Sequence, residues 1–293
     1  MADVTTPTVR PDWRANLRDA LRPQRPVPPT PAGTWLRRLI AVTAVAVVVV
    51  EAVNLFAADE PGYGLVVRTV WALLRVIGFL VLMRAVRFGR AGARPFGLIL
   101  AVTTVFAVAR LTQPREGGLL PDAYVLVGFG VLALLCGAVV VLLYHSDAVA
   151  AHLSGRSVRR HIPGWVLTAR VAVLAYSPLV LVPLLVGAGT LFSDERRQPV
   201  PVAAAMLVTW AALFVVVTLV VPFGSLFVLM GKSWARWLAG LVSVLVLVLQ
   251  PWLCYAVLGL DGLLRDGVPL IITAVLALVA LHRSRGAQTW VRS

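Results

Sequence analysis

The chain has 293 residues, of which 59% are apolar and only 14% charged, with a mean hydropathy of +0.88. Soluble domains carry about 25% charged residues, so the composition excludes a water-soluble globule. The formal net charge of +14 does not make a nucleic-acid binder: the basic residues flank apolar runs on one side, and no aromatic–basic binding motif accompanies them.

Residues 1–34 are polar and hold Pro7, Pro11, Pro23, Pro26, Pro28, Pro29 and Pro31. The stretch from Pro23 to Pro31 is expected to be extended. Before it, Trp13, Leu17 and Leu21 recur at helical spacing beside Arg14, Arg18 and Arg22. That pattern predicts a short basic amphipathic helix, opened by Pro11, on the anionic lipids of the inner leaflet. A solvated tail with no role is the alternative. A cleaved signal peptide does not fit, because the first apolar run starts too late and is too long.

Eight apolar runs follow, at roughly Trp35–Phe56, Leu65–Val86, Pro95–Leu111, Ala123–Tyr144, Trp165–Phe192, Val200–Met230, Trp237–Leu260 and Leu263–Leu281. A helix needs about 20 residues to cross ~30 Å of hydrocarbon. The third and eighth runs are short for this; the fifth and sixth are long and should tilt or project. A β-barrel is excluded, because Ala41–Val50 lacks the polar alternation of a barrel strand. The predicted fold is therefore all-α: a polytopic transmembrane helical bundle of about eight spans.

With eight spans both termini share one side. Placing that side inside puts twenty of the 27 basic residues in inner segments, from Arg10 to Arg292. Arg110, Arg115, Arg196, Arg197 and Arg265 are left outside, and Arg68 and Arg75 fall within the second span. Carboxylates gather at the other side: Glu51, Asp59, Glu60, Glu116, Asp122, Asp194, Glu195, Asp261 and Asp266. Short-loop Lys/Arg bias sets orientation, so the expectation is a multi-pass protein of the plasma membrane with both termini cytoplasmic.

The two halves rhyme. Trp35 and Trp165 open first spans, and Val81-Leu82-Met83 and Val228-Leu229-Met230 close second ones. Each triplet precedes a basic loop ending in Ala93-Arg94 or Ala235-Arg236, and each half ends near a histidine, His145 or His282. This suggests two parallel four-helix repeats, related by an axis along the membrane normal. The expected organisation is a cytoplasmic Arg/Pro-rich tail (1–34), a first four-helix block (35–153) and a second with a short C-terminal tail (154–293).

The inner loop Gly231-Lys232-Ser233-Trp234-Ala235-Arg236-Trp237 resembles the G-R-x-W-A-R-W loop of a diffuse set of mostly uncharacterised four-helix membrane proteins from actinobacteria. The first half has Gly92-Ala93-Arg94-Pro95 at that place and lacks the tryptophans. The resemblance implies membrane topology and no activity. Gly231-Lys232-Ser233 also looks like the tail of a phosphate loop, but the glycine required at 226 is Leu226 and no strand precedes it.

Ionisable groups inside a span are the best functional pointers, since each costs about 2.5–3.5 kcal/mol at a helix centre. Arg75 and Arg68, seven residues apart in the second span, share a face; Glu51, with Asn54 near it, lies inside the outer end of the first. Together Glu51, Asn54, Arg68 and Arg75 form a candidate intramembrane polar site, in which Glu51 could pair with the arginines. An outward-open anion pocket and a structural interhelix clasp, with arginine snorkelling outward, are the two readings. Pro178, Pro183 and Pro222 interrupt the fifth and sixth spans, which makes Tyr176, Ser177 and Pro178 a candidate helix-break site where freed carbonyls meet a ligand. Kinks supported by packing are the alternative. His145, His152 and His161 are expected to be solvated or interfacial. Cys136 and Cys254 are expected as apolar thiols rather than a disulfide. Trp35, Trp165, Trp234, Trp237 and Trp252 fit an interfacial belt.

No catalytic constellation, metal set or cofactor motif is expected. The preferred function is a non-catalytic accessory or scaffold subunit that acts through a membrane-protein partner. A transporter of a small molecule, lipid or ion, using the Glu51/Arg75 site, is the alternative.

Overall fold

Thr30 starts the first membrane helix. Its hydroxyl accepts the Gly33 N–H at 3.1 Å, and Pro31 occupies the first helical position, where a missing N–H costs nothing. The structure, a computed structural model, describes residues 26–56, 63–109, 123–154, 164–192, 197–229 and 232–286. The predicted amphipathic helix at Pro11–Arg22 lies outside them, as do His161 and Gly231. Every regular element among the described residues is helical.

The first half contains α1 (Pro31–Phe56), α2 (Tyr63–Arg87), α3 (Ala93–Ala109), α4 (Ala123–His145) and the short α5 (Asp147–Ser154). The second contains α6 (Gly164–Leu174), α7 (Tyr176–Thr190), α8 (Val200–Leu229), α9 (Ser233–Gly262) and α10 (Val268–Gly286), with a π-helical turn at Leu263–Gly267. Among the described residues six helical stretches are long and apolar enough to cross a membrane, one of them the 52-residue run Ser233–Ser284. That run holds two helices, α9 and α10, which pack against each other. The chain is a multi-pass helical membrane protein.

Each span buries one stripe and shows lipid the rest. On α1 the buried residues Leu36, Ile40, Ala44 and Val47 recur at three- and four-residue steps, while Val42, Val45 and Val49 are more than half exposed. The same spacing buries Ala72, Phe79, Leu82 and Val86 on α2, and Leu132, Cys136, Val139 and Leu143 on α4. Lipid is as apolar as these side chains, so association rests on close fit. Gly97 of α3 is one such place: a Cβ there would run into the Leu143 side chain.

The buried residues form two clusters. One is built from α1 to α5; the other from the second half, with Ile99 of α3 added and Trp71 of α2 packed against it. Neighbours follow the same cyclic order in both halves, first span on second, second on third, third on fourth and fourth on first, where α6 and α7 together are one span. The bundles meet where α2 packs on α7, and where α3 packs on α6, α10 and the π turn. Wedged there, α3 buries several faces and can be only 17 residues long.

One break falls where it is expected: the fifth span divides at Ala175, beside Pro178, which cannot donate to the Leu174 carbonyl. By contrast α8 runs through Pro222, and α9 through Pro251, without dividing; neighbouring helices support such carbonyls. The seventh span breaks at Gly259 (φ 76°, ψ −164°), and the eighth starts at Val268 rather than Leu263. The guanidinium of Arg197 lies against the Cα of Gly259. The backbone angle is what requires glycine there.

Candidate functional site

The predicted polar site divides into two places. Arg75 lies on the buried stripe of α2, 5% exposed, and reaches inward rather than out to solvent. Its Nη1 donates to the Thr104 carbonyl of α3 at 3.5 Å, a long bond, while its buried Nε has no partner. Its one hydrogen-bond partner among the described residues is therefore on α3.

Glu51 does not form the expected ion pair. Among the described residues it makes no salt bridge with Arg68 or Arg75. The Thr69 hydroxyl lies 3.3 Å from Glu51 Oε1 and 3.0 Å from the Leu65 carbonyl, so its single proton is shared between them. The reason is depth: Arg75 is six residues beyond Thr69, roughly 9 Å along the helix axis. Asn54, half-buried one turn nearer the helix end, makes no hydrogen bond among the described residues.

Arg68 is half-buried and belongs to the seam between bundles. It interacts electrostatically with Arg265, Asp261, Asp266 and Glu51. Arg265 Nε donates to Asp266 Oδ2 at 2.7 Å, Nη2 pairs with the same carboxylate, and Nη1 lies 3.9 Å from Asp261. The Arg265 and Asp266 side chains are 9% and 8% exposed. Beside them a void of about 10 Å³, bordered by Trp71, Thr103 and Leu179, has room for one water at most. Nearby, the Tyr63 hydroxyl donates to the Leu185 carbonyl at 3.1 Å, and its ring covers Gly189.

At the fifth-span break, the Tyr176 side chain is fully buried and its hydroxyl donates to Ser243 Oγ of α9 at 2.8 Å. Ser243 in turn donates to the Ala239 carbonyl at 2.7 Å. Ser177 Oγ and Thr218 Oγ1 of α8 are 2.9 Å apart, while Pro178 is exposed. A third link spans the same core: Trp210 Nε1 donates to Gln250 Oε1 at 2.8 Å, both residues fully buried. Sequence reasoning missed Gln250, although a lone amide inside an apolar run is the same kind of signal as Arg75. Cys136 and Cys254 are free, buried thiols.

His152 corrects the expectation of a solvated imidazole, being 6% exposed. Its Nε2 lies 3.0 Å from the Val86 carbonyl, which can only accept, so that nitrogen carries the proton. Nδ1 then accepts from the Thr30 hydroxyl at 3.1 Å. α5 is thereby tied to the start of α1 and the end of α2. His145 is exposed at the end of α4.

No group of three or more metal-ligating side chains occurs among the described residues. Comparison with protein-family models, with curated proteins and with solved structures finds no match.

Proposed function

We infer that this is a non-catalytic accessory or scaffold subunit of the plasma membrane, with both termini cytoplasmic, acting through a membrane-protein partner. The observation that carries this reading is the mutual pairing of polar side chains in the second bundle. Tyr176 with Ser243, Ser177 with Thr218 and Trp210 with Gln250 join separate spans. Groups so engaged fix the bundle's own shape. The arginine bias supports the orientation, and the Arg/Pro-rich tail is the segment offered to a partner.

Purification from the native host in gentle detergent, with mass spectrometry of what stays bound, tests it. A stoichiometric protein partner, lost on deleting residues 1–34, is expected. A lone protein carrying one metabolite would overturn it in favour of transport.

One observation favours that second reading. Arg75 keeps an unpartnered donor inside an apolar bundle, and a fixed buried cation is a counter-charge for an anion. A transporter of a small anionic solute would use it.

A further inference from the structure

A cavity lies at the arginine-rich end of the first bundle, away from both places discussed above. It has a volume of about 340 Å³, within the ~300–1,000 Å³ typical of small-ligand sites. Residues 26–30 form a strap along its rim. The Val27 N–H donates to the Arg87 carbonyl at 3.3 Å, and the Val27 side chain packs on Gly89, whose φ of 61° and lack of a Cβ admit it. Thr30 is held by His152, which is itself anchored on the Val86 carbonyl. The strap is thus fastened at both ends to the bundle it covers.

The chemistry of the lining is one-sided. Thr30, Thr34 and Arg37 stand in a column on α1 at four- and three-residue steps, and Arg87 faces them from the end of α2. No carboxylate lines the cavity among the described residues. The Nε of Arg37 is buried and has no hydrogen-bond partner among the described residues. The N-terminus of α1 adds its positive end at the same mouth. His152, with both ring nitrogens engaged, serves as a clamp rather than a donor to the space.

We propose that this cavity binds a phosphate group, held by the guanidinium groups of Arg37 and Arg87 and by the Thr34 hydroxyl. Two guanidinium groups around a tetrahedral oxyanion give charge-assisted, bidentate hydrogen bonds. The group can come from an anionic phospholipid head of the adjoining leaflet or from free phosphate. Pro26, Val27 and Pro29 supply an apolar rim suited to a lipid's glycerol portion.

Thermal unfolding of the full-length protein in detergent tests the site. One arm adds phosphatidylglycerol against phosphatidylcholine; the other adds inorganic phosphate against chloride at equal ionic strength. A rise in Tm of roughly 5 °C at saturation is expected with at least one phosphate source. A response to phosphatidylglycerol alone identifies a lipid head, and an equal response to inorganic phosphate identifies the free ion. The shift is expected to vanish in Arg37→Gln/Arg87→Gln and to persist in Arg38→Gln/Arg84→Gln, which removes the same charge from exposed arginines resting on Trp35 and Phe88. Thr34→Phe, which fills the cavity and leaves every charge in place, must abolish it too. No shift in the unaltered protein, equal loss in both double variants, or a shift that survives Thr34→Phe would overturn the proposal.

Discussion

Arg75 is the residue on which the transport reading depends, and its surroundings make an unusual stability prediction. A buried charge with one long hydrogen bond and an unpartnered Nε costs more than it returns, and replacing such a group with an apolar one of similar size often stabilises by about 1–4 kcal/mol. Arg75→Leu is therefore expected to keep or raise stability in detergent–denaturant titrations, while any anion flux disappears. A loss of more than about 2 kcal/mol would make Arg75 a structural clasp and remove the support for transport. Glu51→Gln should not rescue such a loss, because Glu51 bonds to Thr69. The sequence shows Arg75 inside the second span but leaves open whether it turns into the bundle or snorkels outward; the structure buries it on the inner stripe of α2. The sequence could not place Glu51's partner, because relative depth between two helices depends on the turn joining them. The role of His152 was illegible for the same reason: its partners, Thr30 and Val86, are 122 and 66 residues away.

At the scale of the element, apolar length announces a span, but a proline does not announce a break. The fifth span divides at Ala175, whereas the helix continues through Pro222 in α8 and through Pro251 in α9. Tyr176 and Ser177 are both bonded across the bundle at the divided point. Pro178→Ala should therefore change stability by less than about 1 kcal/mol, the bend being held by those contacts. Tyr176→Phe should cost about 0.6 kcal/mol, the mean for such bonds in bilayer proteins. Equilibrium unfolding in mixed micelles measures both. A loss of several kcal/mol for Pro178→Ala would show that the proline itself sets the path of the span.

At the scale of the whole molecule, two cores with a thin polar seam behave differently from one core. Among the described residues each half has its own buried cluster, and from the first half Ile99 and Trp71 join the second. Co-expression of residues 1–159 with residues 160–293 is accordingly expected to yield a complex that co-purifies through a tag on either half. Recovery of neither half in the membrane fraction would mean that the cores are not independent. Motifs rhyme between the halves, and each half closes its spans in the same cyclic order of neighbours. The faces by which the blocks meet had no trace in the pattern of runs. They include Tyr63 on Gly189, the packing of α3 on α6 and α10, and a charged turn, contacts between residues far apart in sequence.

That turn bears on how the protein enters its membrane. Between α9 and α10 there is no hydrophilic loop, only the break at Gly259 and one π-helical turn. Arg265 is closed on Asp266 and lies near Asp261, so three formal charges travel as a group with a net charge of one. A helical hairpin of this kind can pass into the bilayer as a single body, its two arms covering each other's small residues while the tip crosses nearly neutral. Its insertion would depend on the total apolar length of the hairpin and only weakly on the membrane potential.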